Sequence, residues 1–189
     1  MRKLEEFKGS SIYDGRNAAV VGWNDVTKLE KPGISPPQPG EISRGGIRYL
    51  LMRPDVLMGV ARELPPEVPP DVFLKALEKS AFVNGKHSFE RYRDEGRFEG
   101  SDALESTCNI AASLGWGEWA VQEQPDGTRL VVVRNSPFAA GFGASTLTVC
   151  APIVGILEAL MLVFHGPAGQ VEETACCSQG ADVCRFRLG

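Results

Sequence analysis

Sulfur is concentrated at one end of this chain. Four of its five cysteines, Cys150, Cys176, Cys177 and Cys184, fall within the last forty of 189 residues. They occupy three separate stretches. Cys150 heads an apolar run, Cys176 and Cys177 follow Val171-Glu172-Glu173-Thr174-Ala175, and Cys184 stands in the closing segment. Thiolates are soft donors, and a zinc ion takes them together with carboxylate or imidazole; four protein ligands without water make a closed, tetrahedral, structural site. The spacing lacks the paired C-x-x-C knuckles of a zinc ribbon. Two other readings stay open on residue types alone: small buried hydrophobes, the ordinary state of free cysteine, and a redox pair at Cys176-Cys177. A reactive pair needs an electropositive setting, which the acidic stretch at Glu172 and Glu173 does not provide.

A second chemistry is the binding of a hydrophobic or aromatic small molecule. Phe89, Tyr92, Trp119, Phe138, Phe142 and Met161 provide the apolar groups from which pockets are built, although each is equally at home in a filled core. Catalytic signals are weak. Gly141-Phe142-Gly143 is too short for a dinucleotide loop, and Ser136 and Ser145 have no defensible His and Asp partners. No nicotinamide or flavin fingerprint is legible. Glu158, inside an apolar helix, is the one carboxylate whose burial could raise its pKa as a general acid requires, although such a residue more often reaches solvent or a salt-bridge partner.

Twenty basic and 24 acidic side chains leave a net charge of -4, and no Lys/Arg block recurs along a face, which argues against direct nucleic-acid binding. Leu147 to Phe164 approaches the length of a membrane span, but Glu158 and Pro152 within it favour a buried helix. The amino terminus, Met1-Arg2-Lys3-Leu4-Glu5-Glu6-Phe7-Lys8, has no secretory apolar core, and five cysteines do not suggest a disulfide framework. The expectation is a cytoplasmic protein.

The elements that would position these groups follow from periodicity. Residues 1–40, rich in proline at Pro32, Pro36, Pro37 and Pro39, read as an amino-terminal arm, and 41–189 as one domain. Ile47 to Met52 reads as a short strand. A helix opens at Pro54 and carries Val56, Leu57, Val60, Ala61 and Leu64 until Pro65-Pro66. Asp71 is the expected cap of a helix through Ala81, with Gly85 past its end, and a separate helix covers Ser88 to Gly96. Ser101 is the expected cap of a helix bearing Leu104, Cys108 and Ala111, stopped by Gly115. Trp119 and Val121, the turn Pro125-Asp126-Gly127 and Leu130 to Val133 form a hairpin. After a glycine-containing loop, Gly141 to Ser145, comes a long central helix. Two strands near Gly169–Ala175 and Val183–Leu188 close the chain. The fold class is α+β: an antiparallel sheet of about four strands against a helical layer, with one long buried carboxy-terminal helix.

Four phrases carry a resemblance. Tyr49-Leu50-Leu51-Met52-Arg53-Pro54-Asp55, Asn135-Ser136-Pro137-Phe138-Ala139, Val171-Glu172-Glu173-Thr174 and Gly180-Ala181-Asp182-Val183-Cys184-Arg185-Phe186 are similar to the vinyl-4-reductase domain family. That family includes proteins linked to bacteriochlorophyll vinyl reduction and the sensor modules of phenol- and xylene-responsive activators, and is related in fold to TRAPP-type vesicle-tethering subunits. The resemblance spans residues 45–189. It implies a structural zinc ion held by Cys150, Glu173, Cys176 and Cys184, with Cys177 able to replace Cys176 in another strand register. It also implies a pocket drawing on Phe89, Tyr92, Trp119, Phe138, Phe142 and Met161. The strand Leu130-Val131-Val132-Val133-Arg134 lacks the tryptophan that the phenol sensors use, which argues against phenol itself as ligand. The expected function is a zinc-stabilised small-molecule sensor acting through a homodimer or a partner protein. The alternatives are an enzyme or accessory protein in tetrapyrrole vinyl-group reduction and a dimeric scaffold.

Overall fold

The structure is a computed structural model and describes residues 39–44, 47–98, 102–166 and 170–189. The expected arm falls almost wholly outside the described residues, as does the expected cap Ser101. The chain divides into two units, Met1–Leu51 and Met52–Gly189. In the first, β1 (Ile42–Arg44) pairs antiparallel with β2 (Ile47–Tyr49), Ile42 opposite Tyr49.

The second unit opens with α1 (Pro54–Gly59), which tightens into a 3-10 turn at Val60–Arg62. Pro54 fits the first helical position because the amide it lacks would have had no partner there. The two expected helices in the next stretch are one. Helix α2 runs unbroken through 25 residues, Pro70–Asp94, and begins at Pro69-Pro70 instead of at an Asp71 cap. Asp71 instead lies in the first turn and pairs with Lys75 at 2.8 Å. Gly85 is not a stop. It costs the helix about 1 kcal/mol relative to alanine, but it admits a neighbouring helix, since a Cβ there would lie 2.8 Å from Ile156 Cδ1 and 3.3 Å from Ala159 Cβ.

Asp102 caps α3 (Ala103–Ser113): its Oδ1 accepts from the Leu104 and Glu105 amides, while Oδ2 accepts from Arg129 at 2.7 Å. Strands β3 (Glu118–Glu123) and β4 (Arg129–Arg134) form the expected hairpin, with Gly127 supplying the positive φ its turn demands. The expected loop after β4 contains a helical element, α4 (Pro137–Phe142), started by Ser136 as cap and Pro137 in the first turn.

Helix α5 (Ala151–His165) is the buried helix expected from composition. Ile153, Leu157, Ala159 and Leu160 have no exposed surface, and each large aliphatic side chain so buried contributes about 1.5–3 kcal/mol. It packs along α2. The contact is close because Gly155 meets the α2 backbone; a Cβ there would stand 2.2 Å from the Glu78 carbonyl oxygen.

Strands β5 (Val171–Ala175) and β6 (Cys184–Leu188) complete a four-stranded antiparallel sheet in the order β3-β4-β6-β5. On β6 the faces alternate cleanly: Cys184, Phe186 and Leu188 are buried, Arg185 and Arg187 exposed. Strand β5 is irregular. Glu173 pairs with Phe186 and Ala175 with Arg185, so Thr174 is a supernumerary residue, a β-bulge. The unit is α+β with the sheet antiparallel throughout, as expected. Among the described residues no helix is long and apolar enough to cross a membrane.

Candidate metal centre

The bulge decides which sulfur faces inward. In a regular strand the side chains on the Glu173 face would be those of Ala175 and Cys177. With Thr174 looped out, Ala175 pairs with the exposed Arg185, and the next residue, Cys176, turns to the inner side with Cys184. Cys176 has no exposed surface, whereas Cys177 is half-buried. Cys177 enters a 3-10 turn, Cys177–Gln179, that is stitched to the α4–α5 connection: the Ser145 amide donates to Ser178 O and Gln179 Nε2 to Thr146 O.

Three elements therefore converge at the start of α5. One donor atom each from Cys150, Glu173, Cys176 and Cys184 lies within 4.8 Å of the others, a group that could hold a metal ion. Cys150 Sγ is 3.6 Å from Cys184 Sγ and 4.0 Å from Cys176 Sγ. Glu173 Oε2 accepts from the Cys150 amide at 2.9 Å, which places a carboxylate at the positive end of α5. Its other oxygen, Oε1, is buried with no hydrogen-bond partner among the described residues, a costly state for a carboxylate unless a cation meets it.

Polar groups from neighbouring elements lie against the three sulfurs. The Cys177 amide donates to Cys184 Sγ at 3.3 Å, Ser136 Oγ lies 3.2 Å from Cys150 Sγ, and the Val149 amide favours the charged form of Cys176. Contacts of this kind could orient a set of metal ligands. Without a cation the four donors compete for charge. Hydrogen bonding with Cys176 and Cys184, together with burial, pushes the Cys150 thiol far up. Cys176, accepting from Cys150 and Cys184, is held well below the usual thiol range. Cys184 is drawn down by the Cys150 hydrogen bond, but Cys176 and burial outweigh it and leave it raised. Burial, then the neighbouring Cys176, pushes Glu173 up to about 8.

Of the six expected pocket residues, Phe89 and Tyr92 lie together on α2 in a ring cluster with Phe98 and Phe164, the centroids 5.4–6.4 Å apart and edge-on. Phe138 packs edge-on against Trp116 at 5.0 Å. Trp119 is buried on β3, its indole N–H donating to Trp116 O. Phe142 is half-buried on α4 and Met161 on α5. A cavity of about 220 Å³ beside the sulfur group is lined by Asp71, Leu74, Lys75, Glu78, Leu147, Thr148, Ala151, Val154 and Glu173, and by none of the six. Glu158 is raised, as its place in an apolar helix suggested, by burial first and then by the charge of Glu78. The residue missed in the sequence is Ser136, the α4 cap, whose buried hydroxyl also lies against Cys150; its signal was the Ser-Pro pair after a strand.

Comparison with known proteins bears on the family and the fold. The family model of the vinyl-4-reductase domain matches residues 130–189. No curated protein sequence matches the chain. Among solved structures, the phenol-responsive sensory domain of the transcription activator PoxR, determined with phenol, aligns with a TM-score of 0.66 at 17% identity, covering 79% of this chain and 80% of that one. A trafficking protein particle complex subunit 3 from Naegleria fowleri, covalently bound to palmitic acid, aligns with a TM-score of 0.51 at 18% identity, covering 71% and 93%. A vinyl-4-reductase family protein from Methanocaldococcus jannaschii gives 0.45 at 18% identity, covering 72% and 92%. The segment 130–189, which contains all four members of the sulfur and carboxylate group, is thus a match to the vinyl-4-reductase domain family.

Proposed function

We propose that this protein is a zinc-stabilised module that binds a hydrophobic or aromatic small molecule and passes its occupancy to a partner protein or through a homodimer, in a reducing, cytoplasmic setting. The observation that carries the reading is the convergence of Cys150, Glu173, Cys176 and Cys184 inside the segment that matches the family model. A zinc–sulfur bond near 2.3 Å puts the sulfurs of a tetrahedral site about 3.8 Å apart, and separations of 3.6 and 4.0 Å bracket that value. Three thiolates and a carboxylate around a +2 ion leave little Lewis acidity, so the ion's role is to hold shape. Cys150, Cys176 and Cys184 would bind through sulfur and Glu173 through Oε1, pinning the start of α5 to β5 and β6. Two neighbours in fold, the phenol sensor and the palmitoylated trafficking subunit, carry apolar small molecules by their descriptions, which supports an apolar ligand here.

The test is native mass spectrometry of the purified chain for metal, followed by thermal shift against phenols, alkyl benzenes, fatty acids and vinyl porphyrins. One zinc per chain and a ligand-dependent rise in Tm are expected. A protein that folds equally well with no zinc, and is shifted by no compound, is neither clamp nor sensor. Turnover of a vinyl porphyrin with added reductant would instead favour the enzyme reading.

A further inference from the structure

The three sulfurs of the metal group have no exposed surface, so an ion cannot reach them directly from water. Glu173 is the one member only half-buried, and it also forms part of the wall of the 220 Å³ cavity between α2 and residues 147–154. Gly155 brings α5 against the α2 backbone at Glu78 and Phe82, Gly85 makes room for the side chains of Ile156 and Ala159, and the cavity is lined by residues amino-terminal to these contacts on both helices. Its lining includes apolar Leu74, Ala151 and Val154, and besides Glu173 its ionisable residues are Asp71 and Glu78 against Lys75. Lys75 is already engaged by Asp71 at 2.8 Å, which leaves the Glu78 carboxylate to make the cavity negative.

We infer that this cavity is the route by which a divalent cation enters and leaves the Cys150, Glu173, Cys176 and Cys184 group, with Glu78 drawing the ion in and Glu173 passing it to the sulfurs. The inference rests on the zinc reading above. A carboxylate is the hard ligand of the set and the natural one to release and retake a borderline-soft ion. A cleft of one charge sign concentrates the opposite ion and raises its rate of arrival. Nothing in this role requires Glu78 to touch the ion in its final position, so it is a positioning residue for transit.

The experiment uses the full chain and zinc alone, following uptake by the metal-free protein and release to excess chelator in stopped flow. Thr148→Trp, at an exposed rim position, narrows the route; Glu78→Gln removes the steering charge; Glu172→Gln, on β5 outside the cavity lining, is the control. Thr148→Trp should slow uptake and release by the same factor and leave affinity unchanged, because a route acts on both directions alike. Glu78→Gln should slow uptake on the order of threefold to tenfold and weaken its salt dependence, and the control should do neither. Unchanged rates in both variants, or a change confined to affinity, overturns the route while leaving the metal site standing. A chain that takes up no zinc removes the site itself, and the route with it.

Discussion

Helix α5 ends in two different kinds of joint. At its start, Cys150 is tied to β5 and β6 through a handful of polar atoms within 4.8 Å of one another. At its far end, Phe164 sits among Phe89 and Phe98 in edge-on ring contacts. The first joint is directional: each donor has one useful orientation, and a missing partner leaves a buried charge. The second is spread over many weak contacts, so a lost ring is partly made good by its neighbours. A helix held this way should be fixed at one end and adjustable at the other.

The largest effect should come from breaking the first joint. Cys184→Ala, or stripping metal with a strong chelator, should destabilise the unit by about 4 kcal/mol, lowering Tm by about 8–16 °C; calorimetric melts check it. The joint should also be pH-sensitive. In the metal-free protein Cys150, Cys184 and Glu173 are raised and Cys176 lowered, so uptake near pH 7 should release roughly three protons. Affinity should then fall as pH falls, measurable by titration calorimetry in buffers of different ionisation heat. Metal-free stability should behave otherwise. The raised pKa of Glu173, about 8, adds stability below its unfolded value near 4.3 that is lost as pH rises through 8; the depressed Cys176 acts in the opposite sense below its unfolded value near 8.5. Folding moves a proton from Cys176 to Glu173, so between about pH 5 and 8 the two pH dependences cancel.

Next in size is the middle of the helix. Gly155→Ala would set a methyl 2.2 Å from the Glu78 carbonyl oxygen and should cost about 3 kcal/mol, read from urea midpoints. Phe164→Leu, at the adjustable end, should cost about 1–2 kcal/mol and leave metal content unchanged. The smallest effect should be that of Cys177→Ser: below about 0.5 kcal/mol with full metal content, in contrast to Cys176→Ser, which should lose the ion. Equal effects at the two adjacent cysteines would show that the bulge does not select between them.

The sequence was most informative where one periodicity held over a whole element. The β3–β4 hairpin, with Trp119 and Val121 on one face and Gly127 in its turn, and the apolar α5 read directly from alternation and composition. It misled where a local signal was overridden by packing. Gly85 looks like a helix end, yet α2 continues because α5 needs the space the missing side chain leaves. Asp71 looks like a cap, yet Pro69-Pro70 already sets the starting torsions just ahead of it. For the site, residue types marked the cysteines, but choosing between Cys176 and Cys177 required a strand register, and register depends on a partner strand distant in the chain. The contribution of Ser136 was equally non-local, since its neighbour Cys150 lies 14 residues on.

The bulge at Thr174 has a use beyond this molecule. Two inward ligands on an extended strand should be an even number of residues apart, and Glu173 and Cys176 are not; the odd interval is itself the mark of a looped-out residue. A search pattern for such centres should therefore tolerate either E-x-C or E-x-x-C, because one inserted residue changes the count without changing which way the sulfur points.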